Sequence, residues 1–209
     1  MKRTICIVED NQDLREAMGL MLQFTGNYQL LASFENAEKA IEKLPELKPQ
    51  AVLMDINLPG ESGIACVAKM KRHIPQTQFL MCTSYEDDDT IFKSLQAGAS
   101  GYILKTEGPA KILSALNDLF DGGSPMSSSI ARKVVSSFSK MEANHQIIEE
   151  LTAREKEILE LIATGQMNKE VADTLSISLG TVKKHVQNIY EKLHVNTRVE
   201  AVNMYLNRV

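Results

Sequence analysis

Ala51-Val52-Leu53-Met54-Asp55-Ile56-Asn57-Leu58-Pro59-Gly60 is the stretch that decides how this chain folds. An apolar run with no alternating polar residue is the pattern of a strand buried on both faces. It stops at a carboxylate and passes into turn-forming residues. Comparable short, β-rich runs lie at 4–9, 29–34, 78–83 and 101–105, with the central one at 51–55. Between them, residues 12–25, 37–44, 62–73, 88–97 and 109–121 space their apolar side chains as helices do. Alternating strands and helices predict an α/β fold, a parallel sheet covered by helices on both faces. Pro109 suits the first turn of the last of these helices, and Gly122-Gly123 ends it.

Beyond residue 121 the pattern changes. Gly122-Gly123-Ser124-Pro125 breaks it, and small polar residues follow. Ile130, Val134, Val135 and Phe138 have helical spacing, so the connection is read as helical in part. From Leu151 onward every segment reads as helix. Thr152 with Glu155, and Thr197 with Glu200, have capping-box spacing; Asn168 and Ser178 are expected to cap two further helices. The expected organisation is therefore an α/β domain over 1–124, a partly helical linker over 125–149, and an all-α four-helix domain over 150–209.

Charge separates the two ends. Residues 1–124 carry 12 Lys and Arg against 17 Asp and Glu, whereas residues 151–209 carry 8 against 7. That balance is too even to argue for nucleic acid on its own, so the position of the charges must carry the case. No apolar run approaches the roughly 20 residues of a membrane span. The short run 5–8 meets Glu9-Asp10 with no small-residue cleavage site, so a cytoplasmic protein without membrane association is expected. Cys6, Cys66 and Cys82 lie among apolar neighbours at no metal-binding spacing and read as buried thiols.

In open parallel sheets the chemistry gathers at the carboxyl ends of the strands, near a switch in strand order. Glu9-Asp10, Asp55, Thr83 and Lys105 all stand at such ends. In a doubly wound order 2-1-3-4-5, the strands ending in Glu9-Asp10 and Asp55 are neighbours about 4.8 Å apart. Carboxylates that close repel one another unless a cation joins them, and an all-oxygen set with room for water suits Mg²⁺. A carboxylate can take up a phosphoryl group covalently while a lysine and a hydroxyl bind its oxygens. Taken singly, each residue has a plainer reading: Asp55 as a turn or cap residue, Lys105 as surface, Tyr102 as core. Their joint placement outweighs those readings. The run Glu86-Asp87-Asp88-Asp89 is read as a solvated helix start and not as a metal site.

With Leu58-Pro59-Gly60-x-x-Gly63, Thr83-Ser84 and Ala97-Gly98-Ala99-x-Gly101-Tyr102-x-x-Lys105, residues 4–121 resemble a receiver domain of the CheY type, a flavodoxin-like fold. The resemblance implies that Asp55 is the phosphoacceptor and that Glu9, Asp10, Asp55 and the backbone carbonyl of Asn57 hold Mg²⁺. It implies that Thr83 and Lys105 bind the phosphoryl group, with Ser84 beside them. Tyr102 is then the aromatic whose rotation reports phosphorylation, and Asn57 and Tyr85 tune its lifetime. Thr106 stands where many receivers carry proline, which leaves the geometry of that loop open.

On a helical wheel over 178–193, Val182, Val186, Ile189 and Leu193 form one stripe. Thr181, Lys184, Gln187, Asn188 and Glu191 lie opposite, Lys183 at the border, and His185 toward the buried side, where it is read as structural. A hydroxyl, cations and amides on one face suit base edges and phosphates in a major groove. A generic bundle with a solvated lysine face would share this wheel. However, Leu151-Thr152-x-Arg154-Glu155, Asn168-Lys169-Glu170-Val171-Ala172, Ile177-Ser178-x-x-Thr181-Val182-Lys183-x-His185 and Lys192-Leu193 resemble a LuxR-type helix-turn-helix over 150–206. That implies base contacts from Lys183, Lys184 and Gln187, backbone contacts from Asn168, Lys169 and Thr181, and a dimerisation helix bearing Val199, Val202, Tyr205 and Leu206.

The whole resembles the NarL/FixJ response regulators. Such a protein takes a phosphoryl group from a sensor histidine kinase, dimerises, binds double-stranded DNA and works with RNA polymerase. It is not an enzyme beyond promoting its own phosphorylation and dephosphorylation. A phosphohydrolase using Asp55 covalently, and a regulator that acts without phosphorylation, are the competing readings.

Overall fold

The computed structural model describes residues 2–206, and for residues 138–143 the backbone alone. Contacts divide the chain into two compact units, Met1–Val134 and Val135–Val209. The first alternates β1 (Arg3–Val8), α1 (Gln12–Phe24), β2 (Tyr28–Phe34), α2 (Ala37–Leu47), β3 (Ala51–Met54), α3 (Gly63–His73), β4 (Gln78–Thr83), α4 (Asp88–Gln96), β5 (Gly101–Leu104) and α5 (Pro109–Phe120). The strands form one sheet in the order β2-β1-β3-β4-β5, and every pair is parallel. This is the flavodoxin-like arrangement expected from the sequence.

Side-chain alternation splits the core into two layers. Cys6, Val8, Val52, Met54, Phe79 and Met81 face one way, onto α2, α3 and α4. Ile5, Ile7, Leu53, Leu80, Cys82 and Ile103 face the other way, onto α1 and α5. Both layers are apolar, which is why these strands show no polar alternation. The expected strand ends lie one residue too far along: Glu9, Asp55 and Lys105 follow the last strand residue instead of occupying it. α2 also runs past Pro45 to Leu47, because proline near the end of a helix removes only one hydrogen bond.

The outer edge of β5 is covered from within the chain. Tyr102 N donates to Pro125 O at 2.9 Å, and Tyr102 forms an isolated parallel bridge with Met126. Gly101 is needed there, since a Cβ would sit 2.8 Å from Pro125 Cγ and from Leu80 Cδ1. The segment read as a partly helical connection carries one helix, α6 (Ser128–Glu149). Its Ile130 is fully buried in the core of the first unit, and its Ile148 in that of the second. Val135 is exposed, and the side chain of Phe138 lies outside the described residues.

The second unit continues with α7 (Ala153–Ala163), α8 (Asn168–Thr174), α9 (Leu179–Leu193) and α10 (Arg198–Leu206). Thr152 and Glu155 form the expected capping box at α7. Thr197 and Glu200 exchange the same pair of bonds at α10, and Ser178 caps α9. Asn168 does not cap α8. It is the first helical residue, and the N-cap is Met167, whose N–H reaches Glu170 Oε2 at 2.6 Å. Among the described residues no helix is long and apolar enough to cross a membrane.

Candidate functional sites: an acidic pocket and an exposed helix face

Parallel pairing of β1 with β3 sets Val8 beside Met54, so the residues that follow both strands emerge at one end of the sheet. Glu9, Asp10 and Asp55 can each offer a carboxylate oxygen within 4.8 Å of the others. Glu9 and Asp55 are buried and Asp10 is exposed. Lys105 Nζ lies 2.7 Å from both Glu9 Oε2 and Asp55 Oδ2, with side-chain exposures of 16%, 2% and 5% respectively. Asp55 Oδ1 accepts from Ile56 N at 2.7 Å. Arg15 on α1 closes the back of this turn: its Nη1 donates to Glu9 O at 2.6 Å and to Asp10 O at 3.1 Å.

Burial pushes the Glu9 carboxyl above its ordinary range, against the pull of Lys105 and with help from the negative charge of Asp55. Burial works against the Lys105 ammonium, but its bonds to Asp55 and Glu9 prevail and raise it. The pocket is thus a tight carboxylate pair bridged by one ammonium that offsets only one of its two charges, with a third carboxylate at its mouth. Its donors are all oxygens and one of them is open to solvent, a set that fits Mg²⁺.

The motif after Asp55 has a steric cause. A Cβ on Gly63 would lie 1.8 Å from the backbone oxygen of Asp55, and Gly63 N donates to Ile56 O at 3.0 Å. Only glycine lets α3 start against the turn that carries Asp55, and Gly60 turns the chain at φ 79°. Asn57 is exposed beside this turn.

On the other side, Thr83 is fully buried at the end of β4, and its Oγ1 accepts from Tyr85 N at 3.4 Å. Ser84 is exposed, and so is Tyr85. Tyr102 is fully buried, its hydroxyl donating to Tyr85 O at 2.8 Å. One step further, Lys133 of α6 donates to Glu86 O. Lys105 begins a 3₁₀ turn, Lys105–Glu107, which contains Thr106 and settles the course of that loop. The acidic run behaves as a helix start, with Asp87 capping α4 through Thr90 N at 2.9 Å.

In the second unit, Val182, Val186, Ile189 and Leu193 are buried as the wheel requires. Lys183, Lys184, Gln187 and Thr181 are exposed, as is Lys169 on α8, whereas Asn168 and Asn188 are half-buried. Gln187 Nε2 donates to Glu191 Oε1 at 3.1 Å, and the Thr181 and Ser178 hydroxyls lie 2.8 Å apart. His185 is half-buried and its Nδ1 meets no partner.

Among the described residues, four other cations of the unit are engaged within it. Arg154 reaches Leu175 O, Lys156 pairs with Glu149, and Arg198 holds Ile162 O and Gln166 O. Lys192 pairs at 2.7 Å with Glu155, which is itself buried. Among the described residues Lys169, Lys183 and Lys184 form no salt bridge. A net charge near zero therefore conceals a set of exposed, uncommitted lysines. On α10, Val199 and Leu206 are exposed and Val202 is half-buried, but Tyr205 packs into the helical core.

Residues 5–117 match the family described as the response regulator receiver domain, and residues 149–205 match that of bacterial regulatory proteins of the luxR family. The transcriptional regulatory protein LiaR of Bacillus subtilis is 32% identical over 98% of this chain and 96% of its own length. The response regulator protein VraR of Staphylococcus saprophyticus is 32% identical over 95% of this chain and 93% of its own. Among solved structures, the RcsB response regulator of Salmonella typhimurium superposes with a TM-score of 0.64 at 24% identity, with full coverage of both chains, and so supports the fold. The chain belongs to the response regulators that join a receiver domain to a LuxR-type DNA-binding domain.

Proposed function

We propose that this response regulator takes a phosphoryl group from a sensor histidine kinase onto Asp55, and that the modification controls dimerisation and sequence-specific binding to double-stranded DNA. The observation that carries the reading is the ammonium of Lys105 held between Asp55 and Glu9 at 2.7 Å from each. An Asp55 oxygen attacks phosphorus, the bond from phosphorus to the kinase imidazole breaks, and the imidazole leaves with its electron pair. Asp55 then carries an acyl phosphate. Lys105 is placed to exchange its contact with the Asp55 carboxylate for one with a phosphoryl oxygen, and the buried Thr83 hydroxyl to donate to another. Mg²⁺, held by Glu9, Asp10, Asp55 and the backbone carbonyl of Asn57, would supply the charge neutralisation that the transferring group needs. In this reading the receiver promotes only its own phosphorylation and dephosphorylation.

In this reading the receiver spans 1–124, the linker 125–149, whose first residues lie against the receiver, and the DNA-binding domain 150–209. Lys183, Lys184 and Gln187 on α9 read base edges. Lys169, Thr181 and Asn168 contact the sugar-phosphate backbone, where Asn168 contributes less because it is half-buried. Val199, Val202 and Leu206 form the dimerisation face of α10, while Tyr205 serves mainly as core. RNA polymerase is the further partner of the DNA-bound dimer.

The test compares DNA affinity of the wild type and Asp55→Ala with and without acetyl phosphate. A gain confined to the wild type is expected. An equal gain in both would refute phosphorylation at Asp55 as the control.

A further inference from the structure

Two of the acidic residues sit on the turn after β1, and the side chain that holds this turn comes from α1. Glu9 is pinned several times over: its N–H donates to Phe34 O at 3.0 Å, Oε1 accepts from Asn11 N at 3.3 Å, and Oε2 meets Lys105 at 2.7 Å. Asp10 is exposed, and its backbone oxygen bonded to Arg15 Nη1 at 3.1 Å is the one hydrogen bond that holds it among the described residues. The same Nη1 holds Glu9 O at 2.6 Å. A single nitrogen thus fixes two successive carbonyls, and with them the directions in which both Cα–Cβ bonds leave the backbone.

We infer that Arg15 is a positioning residue for the cation site. It orders Asp10, and to a lesser degree Glu9, so that their carboxylates converge with Asp55 before any ion arrives. The inference rests on the reading that these carboxylates bind Mg²⁺. It concerns a residue that touches neither the ion nor the phosphoryl group.

The guanidinium has two effects, and they oppose each other. As a cation near a divalent-ion site it repels the ion, so charge alone predicts that removing it tightens Mg²⁺ binding. As a clamp on the ligand-bearing backbone it saves the ion the cost of ordering Asp10. Outer-shell partners of metal ligands typically contribute about 10- to 100-fold in affinity. The two roles therefore differ in sign.

The test is a double-mutant cycle on the full-length protein, with Mg²⁺ affinity measured by isothermal titration calorimetry. Arg15→Met keeps the aliphatic stem and its packing while removing the clamp. It should weaken Mg²⁺ binding about 10-fold or more. Asp10→Asn should weaken binding on its own, yet add little in the Arg15→Met background, because Asp10 is then already out of place. Mn²⁺ bound to Arg15→Met should also carry an additional coordinated water by relaxation measurements. Tighter or unchanged Mg²⁺ binding in Arg15→Met would overturn the inference, as would fully additive losses, which indicate a generally loosened fold. Should Arg15→Met not fold, Arg15→Gln, which is neutral and two atoms shorter, replaces it in the same cycle with the same criteria. A wild type that binds no Mg²⁺ at all would instead sink the reading of the site on which the inference stands.

Discussion

Replacing Lys105 with methionine should make the receiver unstable in a way that depends on pH and can be reversed by metal. The substitution removes a cation from between two carboxylates that are 2% and 5% exposed. At 2.7 Å each contact amounts to roughly 6 kcal/mol at an effective dielectric constant of about 20, before the cost of burial is subtracted. Removing one partner of a buried pair leaves an uncompensated charge and costs about 3–5 kcal/mol. The lower end, about 3 kcal/mol, applies here because Lys105 keeps some contact with water and because Glu9 can escape by taking up a proton.

The sign of the pH effect follows from Glu9, whose carboxyl burial already holds above its ordinary range. An acid raised on folding is tolerated in its neutral form, so its penalty is complete above the folded pKa and fades as pH falls toward the unfolded one. Without the ammonium that folded pKa rises further, and the defect of Lys105→Met should shrink between pH 7.5 and 5. In the wild type the Lys105 pKa is raised, so its contribution is intact throughout this range and is lost only at alkaline pH.

Tryptophan is absent from the chain, and the two units need not unfold together, so native-state hydrogen exchange of the β1 and β3 amides is the suitable assay. Saturating Mg²⁺ should restore about 2.7 kcal/mol at 100 times its Kd. A defect below about 1 kcal/mol at pH 7.5, or one equal at both pH values, would refute the electrostatic account of the pocket.

The remaining expectations concern both units. Lys183→Ala and Lys184→Ala should each cost about 1–3 kcal/mol on the specific site and relax preference at one base pair. Lys169→Ala should weaken all sequences alike and reduce the slope of affinity with salt by about 1; anisotropy titrations over a salt series separate the cases, and unchanged binding would mean the wrong face was chosen. Burial opposes ionisation of Glu155, but the bonds from Lys192 and Thr152 prevail and lower its carboxyl, so its stabilisation is present above the usual glutamate pKa and lost as pH falls through the lowered one. Lys192→Met should therefore flatten the acid limb of the stability curve of the helical unit, and an unaltered limb would show that the pair contributes nothing. Burial pushes the Cys6 thiol up to about 11 and those of Cys66 and Cys82 up to about 12, so none should alkylate with iodoacetamide at pH 8 until the receiver unfolds. Mass spectrometry of the native protein checks this, and rapid labelling of Cys82 would be the contrary result.

The sheet was legible because strands covered on both faces leave long apolar runs, and the pocket because its residues stand where those runs stop. Strand ends were displaced by one residue because nothing local tells the last paired residue from the first unpaired one. At α8, helix propensity favours Asn168 as the cap, yet the chain uses Met167. The readable signal was Glu170, which stands three residues after Met167 and returns its carboxylate to that N–H. Arg15 left no signal, since an arginine on an amphipathic helix looks like any solvated cation until the fold brings the turn after β1 against it. Lys192 and Glu155 are also far apart in sequence, so a capping glutamate gave no hint that it would be buried and paired. On α10 the split into buried Tyr205 and exposed Val199 was not readable for the related reason that apolar residues on adjacent stripes cannot be sorted into core and surface until neighbours are known.

The burial of Ile130 and the pairing of Pro125 and Met126 along β5 bear on how such chains can be recombined. A receiver excised at its last family-matched residue, or after Gly123, would expose the backbone of β5 and leave a hollow beside Tyr102. Any chimera that transplants this sensing half onto another effector must bring the opening turns of α6 with it. Substitutions in those turns should accordingly be felt by the half that precedes them, even though they look like spacer.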